Sequence, residues 1–172
     1  MHSKRFAVTL TFLFLLLPTG SQAATYSLFA TLDGSHQVPA NTSLGTGTGN
    51  MTYNDLTKLL SWDISFSGLS SGATLAHFHG PALPGANAGP QVTIALGASS
   101  GMTSGNLIGT TTLSTLQQGQ LLSNLWYVNI HSDLYAGGEI RGQVQAVPLP
   151  AAIWLLGSGI LGLATWLRRR TA

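Results

Sequence analysis

The sequence predicts an all-β domain, an antiparallel Greek-key sandwich of about eight strands, set between two apolar termini. Three observations lead there. Leu60, Trp62, Ile64 and Phe66 alternate with Ser61, Asp63 and Ser65, the period of a strand with one buried face. Similar short runs recur along the chain, and clusters of Gly, Ser, Asn and Pro separate them. At both ends the alternation gives way to continuous apolar stretches.

Met1 to Ala23 reads as a signal peptide. Lys4 and Arg5 supply its charged start and Phe6 to Leu17 its apolar run. Pro18 and Gly20 break that run before Ser21-Gln22-Ala23, whose small residues place cleavage between Ala23 and Ala24. The run is too short for a comfortable membrane anchor.

The domain is expected over residues 24–146. Its strands are expected at Tyr26 to Asp33, Gly47 to Tyr53, Leu60 to Phe66, Ala73 to His79, Gln91 to Leu96, Leu107 to Leu113, Leu125 to His131 and Glu139 to Gln145. Only Ser114 to Leu122 reads as a helix, with Ser114 and Gln117 spaced as a capping box. The Gly-Thr repeat at Gly45 to Gly49 is read as a strand start whose glycines permit close approach.

Residues 147–172 form the other end. Ala151 to Leu167 is an uncharged stretch of 17 residues, the lower limit for a helix that crosses a bilayer. Trp154 and Trp166 lie near its two ends, and Arg168, Arg169 and Arg170 follow at once. A transmembrane helix is expected over 151–167, with the arginines cytoplasmic and the domain outside.

The net charge of +2 is misleading as a guide to partners. Five of the seven basic residues lie in the terminal segments. Between Ala24 and Val147, only Lys58 and Arg141 oppose Asp33, Asp55, Asp63, Asp133 and Glu139. That mildly acidic domain lacks the clustered cations that phosphate neutralisation needs, which excludes nucleic acid as a partner. The absence of cysteine excludes disulfides, thiolate metal ligands and a cysteine nucleophile. No Ser-His-Asp order, nucleotide loop or close carboxylate pair stands out, so no hydrolase mechanism and no catalytic residue is indicated.

The residues with chemistry are histidines. His77 and His79 lie at positions i and i+2 of an expected strand and therefore share a face, with about 7 Å between their backbones. His131 ends another expected strand. Imidazole suits copper and zinc, and three such ligands leave one coordination position open. The other reading is structural: the three rings hydrogen-bond beside the core, with Tyr127 and Asn129 as partners. Glu139 and Arg141 also share a strand face and are expected to pair with each other or across to a neighbour, as a partly exposed ion pair near a sheet edge.

Four segments together resemble the CHRD domain family, which occurs in many exported bacterial proteins. They are Leu32-Asp33-Gly34-Ser35 with Val38-Pro39, Ile64-Ser65-Phe66-Ser67-Gly68-Leu69, Ala76-His77-Phe78-His79-Gly80-Pro81-Ala82, and Tyr127-Val128-Asn129-Ile130-His131 with Gly137-Gly138-Glu139-Ile140-Arg141-Gly142. His36 departs from that pattern, where the family usually has glutamate. The His-x-His strand with a late histidine is also similar to copper–zinc superoxide dismutase, and His77, His79 and His131 match three of its copper positions. The bridging histidine, the zinc-loop ligands and the arginine after the Gly-Gly pair have no counterpart here.

The tail carries a third resemblance. Val147-Pro148-Leu149-Pro150-Ala151-Ala152 followed by Trp154-Leu155-Leu156-Gly157-Ser158-Gly159 is similar to the PEP-CTERM sorting signals in their VPLPA form. That resemblance implies recognition by an exosortase-type sorting enzyme near residues 148–152, and a protein sorted to the cell surface or extracellular matrix. The reading that follows is an exported, non-enzymatic module that meets an extracellular polysaccharide or a surface protein. Its alternative is a protein that binds copper or zinc through His77, His79 and His131.

The exported protein is expected to begin at Ala24. Intact mass of the exported chain checks this, and retention of Met1 to Ala23 would refute it.

Overall fold

The computed structural model describes residues 24–147. The expected signal peptide and transmembrane helix lie outside these residues. Among the described residues, no helix is long and apolar enough to cross a membrane.

The chain forms β1 (Thr25–Asp33), β2 (Thr46–Asn54), β3 (Leu59–Ser67), β4 (Ala73–His79) and β5 (Pro90–Thr93). It continues through β6 (Gly105–Thr112), α1 (Thr115–Leu122), β7 (Tyr127–Ser132), β8 (Ile140–Gln143) and β9 (Gln145–Ala146). The alternation seen in the sequence becomes burial. In β3, Leu60, Trp62, Ile64 and Phe66 are buried while Ser61 is half-buried and Asp63 and Ser65 are exposed. The β2–β3 turn is closed by Asn54, whose Oδ1 accepts from the Leu56 and Thr57 amides at 3.0 and 2.9 Å. The α1 capping box forms as expected: Ser114 Oγ accepts from the Gln117 amide, and Gln117 Oε1 accepts from the Ser114 amide.

All strands join one antiparallel sheet in the order β5-β4-β7-β8-β1-β2-β3-β6, with β9 beside β1. The expected all-β antiparallel domain with one helix is present, its sandwich-like form made by one continuous curled sheet. The sheet curls so that its β1-β2-β3-β6 half faces its β5-β4-β7-β8 half. Trp62 of the first half meets Phe78 of the second edge-on at 5.3 Å, and Trp126 lies 6.1 Å beyond Phe78. The halves remain one sheet because β8 and β9 pair with β1 at Asp33↔Arg141, Phe29↔Gln145 and Leu28↔Ala146. β5 is shorter than expected, and the run through Leu96 leaves the sheet after Thr93.

Gly142 permits the close approach of β8 to β1. A Cβ there would collide with the backbone carbonyl of Thr31, an atom that cannot rotate away. Gly119 sits within α1 with nothing near its missing Cβ. Gly142→Ala is therefore expected to destabilise the domain by about 1–3 kcal/mol. Gly119→Ala is expected to stabilise it by about 0.5–1 kcal/mol through helix propensity. Midpoints of urea unfolding, compared at constant slope, check both signs.

Candidate metal centre

The β4–β7 ladder assembles the histidines. Its register places His77 opposite Asn129, His79 opposite Tyr127 and Leu75 opposite His131. Alternation sends Ala76, Phe78, Val128 and Ile130 into the core. The opposite face carries His77, His79, Tyr127, Asn129 and His131, and in β8 Arg141 and Gln143 join it. Such a face would ordinarily meet water. Here the connection between β4 and β5 lies over it, and so does the segment after β1.

These covers supply the hydrogen bonds that fix the rings. His79 Nδ1 donates to the Ala88 carbonyl at 2.9 Å, and His131 Nδ1 donates to the Ala136 carbonyl at 2.9 Å. A carbonyl can only accept, so each neutral ring carries its proton on Nδ1 and its lone pair on Nε2. His131 Nε2 lies 3.4 Å from His77 Nδ1 and 3.3 Å from Asn129 Nδ2. His79 is only 9% exposed, and its Nε2 is buried with no hydrogen-bond partner.

One ring nitrogen from each of His77, His79 and His131 lies within 4.8 Å of the others. Nitrogens bound tetrahedrally at about 2.0–2.1 Å from an ion stand about 3.3–3.4 Å apart. The His77–His131 pair, at 3.4 Å, has that spacing, and a nitrogen of His79 lies within 4.8 Å of both. Burial holds the His77 pKa below its ordinary value of 6.5, and His131 and His79 lower it further. Burial also lowers that of His79; the Ala88 carbonyl opposes this, and His131 and Arg141 reinforce it. Both rings are thus kept in the neutral form that can ligate.

Tyr127 plays a different part from the one expected of it. Its ring stacks on His79 at 5.0 Å, while its hydroxyl bonds to Ala88 at 3.1 Å. Arg141 lies over the Tyr127 ring, with Cζ 3.5 Å from the centroid. The expected Glu139–Arg141 ion pair does not form. Glu139 is fully buried and turns to Ser43 Oγ and the Ser70 amide at 2.5 and 2.6 Å. Arg141 turns to Asn87 and Ala86, because its strand position faces the covering loop.

Sequence reasoning found the three histidines and Asn129. It missed Ala88, Ala136 and Gln37, whose Nε2 donates to Asn129 Oδ1 at 2.6 Å. The two backbone carbonyls carry no residue-type signal. Of the sorting motif, Val147 is described and exposed, and its amide donates to the Ser27 carbonyl at 2.9 Å. Pro148, Leu149, Pro150, Ala151, Ala23 and the three terminal arginines lie outside the described residues.

A curled antiparallel β-module with three imidazoles gathered under its loops is thus the class of protein defined here. The chain belongs to the CHRD domain family, whose model matches residues 28–144. No curated protein and no solved structure matches it.

The imidazole shifts make a stability prediction. Since folding lowers the pKa of His77 and His79 below 6.5, the unfolded chain takes up protons first as pH falls. Their contribution is therefore complete above pH 6.5 and is lost as pH falls below it. The metal-free protein is expected to melt at a lower temperature at about pH 5.5 than at about pH 7.5, and a His77→Gln, His79→Gln double variant to show less of that difference. Equal pH dependence in the parent and the double variant would overturn this assignment.

Proposed function

We propose that the protein is an exported, non-enzymatic surface module that binds copper or zinc through His77, His79 and His131. The buried, unpartnered Nε2 of His79 beside two further imidazoles carries this reading. A buried nitrogen lone pair without a donor is costly, and a metal ion would satisfy it. The ligand set is all imidazole, which suits copper and zinc and lacks the oxygen donors that calcium and magnesium prefer. The carbonyls of Ala88 and Ala136 would orient His79 and His131 from behind, and a metal on His131 Nε2 would displace the Asn129 amide from that nitrogen.

Export and sorting rest on the sequence and on the family, which occurs in many exported proteins. The Ala24 nitrogen lies 2.8 Å from Asp55 Oδ1, so cleavage before Ala24 would create an α-ammonium beside a carboxylate. Val147 to Ala151, the following apolar run and the three arginines support membrane retention and recognition by an exosortase-type enzyme. An extracellular polysaccharide or surface protein is the partner this setting favours.

Calorimetric titration of the metal-free protein tests the metal reading. Saturable, equimolar binding of copper or zinc is expected at neutral pH. His79→Ala and His77→Ala should each abolish it, and His36→Ala should leave it nearly unchanged. Absence of saturable binding, or equal losses from His79→Ala and His36→Ala, would rule the site out.

A further inference from the structure

Arg141 is a buried cation without a counter-ion. It is 2% exposed, and the only ion pair among the described residues joins His36 to Asp33 at 3.2 Å. Its two hydrogen-bonded acceptors are neutral: Asn87 Oδ1 at 3.1 Å from Nη1 and the Ala86 carbonyl at 2.8 Å from Nη2. A guanidinium has five N–H donors in a fork suited to carboxylate, so donor capacity remains. Buried charges are ordinarily paired, and none of the protein's described carboxylates pairs with this one.

Arg141 lines a cavity of about 560 Å³ over the seam where β8 and β9 meet β1. That volume is within the range of small-ligand sites. Gln143 and Gln145 line it too, and Gln143 Oε1 is buried with no hydrogen-bond partner. Phe29, 38% exposed, supplies an apolar wall. The only other charged residue lining the cavity when protonated is His36, which is already engaged with Asp33.

We propose that this cavity binds a carboxylate-bearing saccharide, with its carboxylate on Arg141, its hydroxyls on the amides of Gln143 and Gln145, and its ring face on Phe29. One unpaired guanidinium matches one carboxylate charge, whereas a phosphate dianion would call for a second cation. Gln143 Nε2 already donates to the Ala82 and Asn124 carbonyls, which leaves its Oε1 to accept from a hydroxyl, while the exposed Gln145 amide can donate and accept; an exposed aromatic wall suits the C–H face of a sugar ring. The proposal does not require a bound metal, since none of these four residues is one of the three histidines.

The full chain in detergent, titrated with glucuronate, glucose and inorganic phosphate, tests it. Saturable binding of glucuronate is expected, at least about 10-fold tighter than that of glucose, as loss of a charge-assisted hydrogen bond implies. Arg141→Gln should weaken glucuronate binding by about 10- to 100-fold. Because a buried arginine variant can fail to fold, Gln145→Ala provides the second arm: Gln145 is exposed, and its loss should weaken binding by a measurable factor with the melting temperature unchanged. No saturable glucuronate binding, equal affinity for glucose, or indifference to Gln145→Ala would overturn the proposal. Phosphate binding as tight as that of glucuronate would also overturn it, by assigning a general anion site.

Discussion

Pairing His77 with Asn129 and Phe78 with Val128 sets two surfaces at once. Side chains alternate across a strand, so a slip of one residue would bring the imidazoles into the core and turn Phe78 outward. Phe78 touches Trp62 from the opposite half of the sheet and Trp126 from the segment before β7. Moving it would empty the centre of the core. The apolar contacts therefore hold the register, and the register holds His77, His79 and His131 together.

Loops cover that face. A polar sheet face under loops needs a partner for every buried donor and acceptor. The loops provide backbone carbonyls at Ala86 and Ala136, each meeting one side chain of the strand face, and at Ala88, which meets both His79 and Tyr127. Carbonyls are acceptors only, so satisfying the rings also decides which nitrogen keeps its lone pair. Three buried side-chain atoms in this region are left over: His79 Nε2, Gln143 Oε1 and Glu139 Oε2. The first points to a metal and the second borders the cavity at Arg141. The third belongs to a carboxylate set among Ser43, Ser70 and Ser132.

Much of this was legible in the chain itself. The strand pattern gave β1, β2, β3 and β4 to within about a residue or two at their ends, the usual margin for boundaries. The capping box placed α1, and the His-x-His spacing with His131 located the cluster. What could not be read was tertiary. Whether β8 returns beside β1 depends on strand pairing across more than a hundred positions of chain, as Asp33↔Arg141 shows. The same gap explains the failed ion pair. Glu139 and Arg141 are two residues apart, but Glu139 precedes β8 at the end of a glycine turn, and Gly138 adopts φ +126°. The alternation that would have put both side chains on one face does not reach back to Glu139.

That failed pair connects the two proposed sites. Arg141 and His79 both stack on the Tyr127 ring, so the guanidinium acts on a nearby imidazole. Burial is the larger reason that His79 stays neutral, and the unpaired charge of Arg141 adds to it. Had Glu139 neutralised Arg141, both effects of that charge would shrink: His79 would be easier to protonate, and the cavity beyond would lose its attraction for an anion. Leaving the arginine without a carboxylate of its own thus serves both the imidazoles and a ligand. The desolvation of an unpaired cation is the energetic cost, and the stack on Tyr127, with neutral acceptors at Asn87 and Ala86, offsets part of it.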